Sequence, residues 1–285
     1  MTRGAALVAL HASVALFGFA GLFGKWLDLA PVAIVLGRTA VAALALGALP
    51  RSLRPRAAFD ARLIANGIVL AVHWVSFFAA IEVATVAVGL LGYASFPVFT
   101  IVLERVALGR RLGPREGVTA LLVTTGLLLL VPEFSIESSV VRGLGWGLLS
   151  GFSFALLAVM NRGWSLTRAA TDIAFWQNLY AALALLPFAV PSVIGHGGLD
   201  AREIALLALL GLICTALAHT LFIAALATVS AHTASVVAAL EPVYGIAFAF
   251  MFLGEPPESR TLLGGTLIVI AAITATRCAA DPGRS

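Results

Sequence analysis

Long apolar runs follow one another along nearly the whole chain, and they constrain its fold more than any other feature. There are about ten, each roughly 20 residues long, the length that a helix needs to cross about 30 Å of hydrocarbon. Only 11% of the residues are charged and the mean hydropathy is +1.04, far outside the usual range for a soluble domain. The runs are continuous rather than alternating, which argues against an outer-membrane barrel. The sequence therefore predicts an all-α integral membrane protein with about ten transmembrane helices.

Proline and glycine mark the short connections between these runs, as at Pro31, Gly113-Pro114 and Gly254, and they allow the spans to be placed. We place the spans at residues 5–25, 31–49, 62–81, 85–106, 116–132, 143–161, 173–193, 203–224, 231–253 and 260–278. Little sequence is left over for an extramembrane domain. We therefore expect one compact membrane domain.

The basic residues predict the orientation of these spans. With the N-terminus in the cytoplasm, most of the 18 Lys and Arg residues fall in cytoplasmic segments. The densest groups are Arg51, Arg54, Arg56 and Arg62, and Arg105, Arg110, Arg111 and Arg115. Lys and Arg in short loops favour the cytoplasmic side, so both termini are predicted to be cytoplasmic and the chain to lie in the cell inner membrane. The formal charge of +4 is then a topology signal and does not indicate nucleic-acid binding.

An internal repeat divides the chain: residues 77–126 recur 145 positions later, at residues 222–271. The matched pairs include Phe77 and Phe222, Pro97 and Pro242, and Leu108-Gly109 and Leu253-Gly254. A repeat at about half of the 285 residues predicts two related halves, residues 1–137 and 138–285. Because each half has five spans, an odd number, the second half must enter the membrane from the opposite side. Inverted repeats of this kind are typical of transporters that open a central site to each side in turn.

Three features of the repeat resemble a known family. They are the passage from Ala80 to Pro97 that recurs from Ala225 to Pro242, the Leu253-Gly254-Glu255 triplet before a short polar turn, and the glycine-rich closing span. Over nearly its whole length, the chain resembles the EamA-type members of the drug/metabolite transporter superfamily, and within them it is most similar to the aromatic amino acid exporters. The resemblance implies ten helices in two inverted five-helix halves around a central cavity, and export of small metabolites. The first copy departs at two positions, with Phe96 in place of Glu241 and Arg110 in place of Glu255.

Two ionisable residues within the predicted spans are candidates for substrate binding. Such groups cost on the order of 2.5 to 3.5 kcal/mol in a bilayer, so each needs a cavity, a partner or a purpose. Arg38 could bind a substrate carboxylate through two nitrogens, or it could reach the interface or pair structurally; its repeat counterpart is Gln177. Glu241 could bind a proton or an amine, could be kept neutral by burial, or could serve helix geometry.

Pro97 and Pro242 occupy matched places in the fourth and ninth spans. Each removes a helical hydrogen bond and is predicted to kink or locally unwind its span. Interrupted helices often border the binding site of inverted-repeat transporters. A packing kink without ligand contact is the alternative.

Aromatic and histidine side chains are predicted near the same depth as these prolines. They are His73, Trp74, Tyr93, Phe99, His219 and Tyr244. Such rings could stack on the apolar part of a substrate and offer hydroxyl or imidazole groups to its polar end. Taken singly, each could instead be an interhelical hydrogen bonder, but as a group they predict a binding pocket.

Gly143, Gly147 and Gly151 recur every four residues in the sixth span, so they share one helix face. Small residues in this pattern let two helices approach closely. We therefore expect this face to be a helix–helix contact.

The chain has no Walker loop, metal-ligand cluster, nucleophile elbow or dinucleotide fingerprint. We therefore predict no enzyme activity, no cofactor and no metal, and the two cysteines, Cys214 and Cys278, do not suggest a disulfide. The leading interpretation is an exporter of small organic metabolites, with amino acids and especially aromatic ones favoured, which works by alternating access in a lipid bilayer. The alternatives are a multidrug or cation efflux transporter that uses aromatic faces and Glu241, and, from another class, a non-transporting membrane scaffold or enzyme.

Overall fold

The computed structural model of the chain describes residues 2–49, 60–108, 114–130, 135, 137–161, 168–226, 228, 237–238 and 240–278. Five of the basic residues predicted to be cytoplasmic, and residues 231–236 of the predicted ninth span, lie outside this part; the five are Arg51, Arg54, Arg56, Arg110 and Arg111. Within the described part all regular structure is helical, so the predicted fold class is confirmed at that level.

The first half of the chain consists of short and long helices in succession. They are α1 Arg3–Ala20, α2 Phe23–Trp26, α3 Pro31–Gly47, α4 Ala61–Val83, α5 Val86–Tyr93, α6 Phe96–Leu108 and α7 Pro114–Leu130. Polar side chains just before several helices accept hydrogen bonds from backbone N–H groups of the first turn: Thr2 for α1, Asp60 for α4 and Thr85 for α5. These caps satisfy donors that the helix itself leaves free.

The second half contains α8 Ser139–Asn161, α9 Ala170–His196, α10 Ala201–Gly211, a π-helical segment Leu212–Leu217, α11 Ala218–Leu226, α12 Glu241–Leu253 and α13 Ser259–Cys278. Helix α10 starts with a capping box in which Asp200 and Glu203 each accept from the other's backbone N–H. Helix α12 ends at Gly254, whose φ of 65° is left-handed and suits a residue without a Cβ.

Ten apolar helical segments correspond one for one to the ten predicted spans. Six of them are long and apolar enough to cross a membrane: Arg3–Trp26, Ala61–Val83, Val86–Leu103, Ser139–Leu157, Ala170–His196 and Ala201–Ala225. The other four are shorter apolar helices: Pro31–Gly47, Gly117–Leu130, Glu241–Leu253 and Ser259–Ala271. By length and composition the chain is therefore a multi-pass membrane protein.

The fourth span is interrupted at the place that Pro97 predicts. Helix α5 ends at Tyr93 and α6 begins at Phe96, which makes Pro97 the second residue of the new helix. Proline has no backbone N–H, so it is tolerated in a first turn and not in a helix interior. Pro242 is likewise the second residue of α12, and residues 229–236 and 239, which precede it, lie outside the described part.

The two halves interlock, because most of the extensive helix contacts join one half to the other. Helix α4 packs on α8 and α9, α1 packs on α11 and α12, and α5 and α6 pack on α8. In addition, α3 packs on α9, α5 on α12 and α7 on α13. The described residues form one large apolar core and two smaller apolar clusters, and each of the three has members from both halves.

The three glycines spaced by four on α8 lie in close helix contacts, as their spacing predicts. A Cβ on Gly147 would be 2.8 Å from the Cα of Gly92 on α5. A Cβ on Gly143 would be 2.6 Å from the Cβ of Ala84, which lies between α4 and α5. A Cβ on Gly151 would be 2.8 Å from the Ser95 hydroxyl oxygen. These backbones approach so closely that even a methyl group would force them apart.

Candidate functional site

Arg38 on α3 is buried in the protein interior, with only 2% of its surface exposed. Its Nε–H donates to the Thr215 hydroxyl oxygen at 3.0 Å, and an Nη2–H donates to the Cys214 carbonyl at 3.4 Å. Both acceptors belong to the second half of the chain. The guanidinium therefore points into the bundle and joins the two halves.

The π-helical segment Leu212–Leu217 supplies these acceptors. The Thr215 hydroxyl donates to the Leu210 carbonyl, five residues earlier, at 2.9 Å, while it accepts from Arg38. A π turn displaces backbone groups from the regular helical ladder, and such turns are frequent at functional sites. Here the segment makes the Cys214 carbonyl available to a cation from another helix.

Aromatic rings line the guanidinium. The Arg38 Cζ lies 3.9 Å from the centroid of the Trp74 ring and 5.6 Å from that of Phe78. The Trp74 ring is in turn 5.0 Å from the His219 ring, which meets Phe17 edge-on at 5.3 Å. A cation over an aromatic face contributes about 0.5 to 2 kcal/mol, more when it is desolvated. Residues from α1, α3, α4 and α11 thus meet at one place.

Glu241, the first residue of α12, faces the same centre and is 5% exposed. Its carboxyl group is hydrogen bonded to the hydroxyl of Tyr93, the last residue of α5, and interacts electrostatically with Arg38. A helix N-terminus also favours an acidic group. Arg38 from α3 and Glu241 from α12 are therefore both buried at the bundle centre.

His73 lies beside Tyr93 and completes the cluster on the α8 side. Its Nδ1 is 3.0 Å from both the backbone oxygen and the hydroxyl of Ser150. Its ring centroid is 5.5 Å from that of Tyr93 and 5.2 Å from that of Phe154. The Ser150 backbone oxygen can only accept, so the His73 Nδ1–H donates to it, and this residue holds the imidazole in place.

Two other candidates, Tyr244 and Gln177, lie between helix pairs. The Tyr244 hydroxyl is 3.0 Å from the Nδ1 of His11, between α12 and α1. The Gln177 side-chain amide donates to the Asn66 oxygen, between α9 and α4. These hydrogen bonds stabilise helix contacts.

Phe99 lies on α6, where its ring meets Phe152 of α8 edge-on at 5.6 Å between centroids. Phe152 is 39% exposed, so this contact is at the outer surface of the bundle. The structure therefore brings together six of the candidate residues: Arg38, His73, Trp74, Tyr93, His219 and Glu241.

Sequence reasoning missed the residues that hold Arg38 and His73. Thr215 and the Cys214 carbonyl lie in the stretch Leu-Ile-Cys-Thr-Ala-Leu, which has the composition of any apolar helix. Ser150 is a small residue in a long apolar run. No local signal distinguishes these positions, because their role comes from the helices they face.

No group of three or more His, Cys, Asp or Glu side chains is arranged to hold a metal ion in the described part of the chain. Cys214 is a free, buried cysteine.

A bundle of membrane-length helices with an arginine, a glutamate and aromatic rings buried at its centre defines the class of protein: a multi-pass membrane transporter. The chain belongs to the EamA-like transporter family, whose model matches residues 4–131 and 141–277. The resemblance to EamA-type transporters is therefore confirmed, whereas the narrower similarity to aromatic amino acid exporters is not supported by these comparisons.

Relatives support the same class. The pseudopaline exporter CntI of Pseudomonas aeruginosa is 29% identical over 225 residues, which are 75% of this chain and 74% of the relative. An uncharacterized transporter of Archaeoglobus fulgidus is 27% identical over 232 residues, which are 81% of this chain and 82% of the relative. A solved crystal structure that is 18% identical superposes with a TM-score of 0.66 over 98% of this chain and 99% of that chain, so it has the same fold.

Proposed function

We propose that this transporter exports a small organic metabolite that carries both a carboxylate and an amino group, with amino acids, and aromatic ones in particular, as the favoured class. The observation that carries the proposal is the burial of Arg38 and Glu241 at one centre, with 2% and 5% of their surfaces exposed. Buried charges are costly unless each has a partner of opposite charge. A zwitterionic solute offers one to each.

The carboxylate end of such a solute would bind Arg38. A guanidinium has five N–H donors, and Thr215 and the Cys214 carbonyl accept from two of them. The remaining donors suit a two-point contact with a carboxylate, which is a strong and geometrically specific interaction. The amino end would then face Glu241.

The rings around these charges favour a solute with an apolar or aromatic body. Trp74, His73, Tyr93 and Phe154 follow one another with centroids 5.2 to 6.3 Å apart, a spacing typical of attractive ring pairs. An aromatic side chain of the solute that reached these rings in an open state could make contacts of the same kind. The Pseudomonas aeruginosa relative is named a pseudopaline exporter, which supports export as the direction of transport.

Efflux of organic cations is the second candidate, because Glu241 lies close to aromatic faces that attract cations. Arg38 argues against it: its positive charge sits in the same cluster and would repel a cation that has no carboxylate. We therefore rank zwitterions first. Membership of a transporter family makes us favour transport over an enzymatic or scaffold role.

We further propose that the two halves are inverted repeats that work by alternating access. The two stretches matched by the family model, residues 4–131 and 141–277, support a duplication. The helix contacts also occur in matched sets: α4 packs on α8 as α11 packs on α1, and α5 packs on α8 as α12 packs on α1. The contact of α5 with α8 contains the glycine pair Gly92 and Gly147, and the contact of α12 with α1 contains the pair Gly245 and Gly18. Exchanging the halves leaves this pattern unchanged, as a two-fold axis requires.

Both termini are proposed to be cytoplasmic in the cell inner membrane, on the charge distribution given above. The central charged residues are buried, so transport requires that one face open at a time. Since no nucleotide-binding motif is present in the sequence, uphill export would draw on a gradient of solute or protons.

Counterflow in liposomes tests this proposal. The purified protein is reconstituted, vesicles are loaded with unlabelled phenylalanine, leucine or a permanent organic cation, and uptake of the same solute in labelled form is followed. Amino acid counterflow without cation counterflow supports the zwitterion proposal, and the reverse supports the second candidate. Uptake no greater than in empty vesicles for every amino acid would refute the leading proposal.

A further inference from the structure

The short connection between α4 and α5 is held by a charged side chain from each half of the protein. The Lys25 Nζ, at the end of α2, donates to the Ala84 carbonyl at 2.8 Å. A carboxylate oxygen of Glu255, just after α12, accepts from the Val86 backbone N–H at 3.4 Å. These are contacts across the fold, since 59 and 169 residues separate the partners.

Each charge suits the helix end that it contacts. Ala84 follows the C-terminus of α4 and Val86 begins α5. Helix C-termini carry a partial negative charge and N-termini a partial positive charge. Lys25 and Glu255 therefore complement the two helix ends that meet at this connection, while Thr85 caps α5 locally by accepting from the Val88 N–H at 3.2 Å.

The turn after α12 places the Glu255 side chain near the start of α5. Gly254 ends the helix with a left-handed φ of 65°, and the Glu255 N–H donates back to the Ala249 carbonyl at 3.3 Å. Helix α12 thus ends at this turn, and the Glu255 carboxylate contacts the first residue of α5. In the first copy of the repeat the corresponding residue is Arg110, of opposite charge, so the device is particular to the second half.

Helices α5 and α12 are consequently tied to each other at both ends. Val86 begins α5 and Tyr93 ends this helix of 8 residues, so the two lie about 10 Å apart along the helix axis. Glu241 begins α12 and Glu255 follows its last turn. The Tyr93–Glu241 hydrogen bond joins the helices at the central cluster. The Val86–Glu255 hydrogen bond joins them at their other ends, beside the connection between α4 and α5.

We propose that Lys25 and Glu255 form a latch that keeps the transporter closed on the side of the connection between α4 and α5, the latch face. When the latch is released, α5 and α12 can separate, and the central cluster becomes accessible from the latch face. By the predicted topology this is the outer face. Lys25 is exposed and Glu255 half-buried, so water can compete for both contacts, and such contacts are weak enough to break in each cycle. The latch rests on the proposed alternating access, but it does not depend on which solute is carried.

Cysteine labelling tests the latch without any substrate. Cys214 is fully buried and its carbonyl binds Arg38, and a Cys278→Ala background leaves it as the only thiol among the chain's 2 cysteines. The rate at which a membrane-impermeant maleimide labels Cys214 is measured in reconstituted protein, with reagent added to each side. Hydrogen exchange at the start of α5 is measured in parallel.

Glu255→Ala is expected to raise the labelling rate about tenfold from the latch face, because a hydrogen bond to a charged group shifts an equilibrium by at least about that factor. Lys25→Met acts in the same direction, and both variants speed exchange of the Val86 amide. Glu258→Gln, an exposed residue of the same turn, is the matched control and leaves both measurements unchanged.

The latch is overturned if amide exchange at Val86 does not change in Glu255→Ala, or if exchange rises while Cys214 labelling stays at the control rate. Faster labelling from both sides equally would also overturn it, because that indicates general loosening. A failure of amino acid counterflow leaves these readouts intact, so the two proposals fail separately.

Discussion

Replacing Arg38 with lysine separates the role of its charge from the role of its shape. Lysine keeps the positive charge opposite Glu241 but lacks the planar guanidinium that stacks on Trp74 at 3.9 Å. If Arg38 binds a substrate carboxylate through two N–H groups, Arg38→Lys lowers substrate affinity strongly while the protein still folds.

The size of this loss follows from the hydrogen bonds around Arg38. Thr215 and the Cys214 carbonyl occupy two of its N–H groups, at 3.0 and 3.4 Å, and the lysine ammonium has three donors in all. After serving those acceptors, lysine keeps one donor for the substrate, whereas arginine keeps three, enough for the two-point contact. Losing one hydrogen bond between charged groups costs about 1.5 to 3 kcal/mol, which corresponds to a Kd about 10 to 150 times higher.

Equilibrium binding of a labelled aromatic amino acid to the protein in lipid nanodiscs measures this change. Thr215→Val is the control, because it removes a neutral acceptor of the Arg38 Nε–H and leaves the guanidinium in place; it should raise Kd by about fivefold or less. Thermal unfolding checks that both variants are folded. The reasoning is refuted if Arg38→Lys binds within about a factor of two of the parent, or if Thr215→Val loses as much affinity.

Three further changes test other parts of the structure. Gly147→Val should lower the free energy of unfolding by about 1 to 3 kcal/mol through overpacking, because a Cβ at Gly147 would lie 2.8 Å from the Cα of Gly92. Gly145→Ala is the control and should leave stability unchanged, because no atom lies within 4 Å of a Cβ at Gly145. Equal melting temperatures of the two variants would contradict the close contact. Glu241→Gln keeps a partner for the hydrogen bond from α5 but removes the charge, so counterflow should fall and its dependence on pH should change, and an unaltered profile would leave Glu241 with a structural role. Trp74→Ala should weaken substrate binding more than Phe99→Ala does, because Phe99 packs at the outer surface of the bundle; equal losses would argue against the central cluster.

Features that depend on neighbours in the chain could be predicted from the sequence. The helical membrane architecture follows from apolar runs long enough to satisfy every backbone group within one segment. The break before Pro97 follows from the missing N–H of proline. The close contact of Gly143, Gly147 and Gly151 follows from their shared helix face and lack of a side chain. Arg38, Trp74 and Glu241 were also predictable as candidates, because charged and large polar residues in an apolar span require an explanation.

Only the tertiary structure decided which of these candidates meet. Periodicity shows which face of a helix a residue occupies, but it does not show which helix lies opposite. Gln177 and Phe99 share the spacing expected of site residues, yet the first bonds to Asn66 and the second packs on Phe152. Arg38 finds its acceptors at Thr215 and Cys214, 177 and 176 residues away, on a π-helical segment. The sequence by itself determined the helices and the polar residues they carry, while the packing of the two halves decided which charges and rings share one centre, because partners so far apart in the chain are chosen by helix contacts.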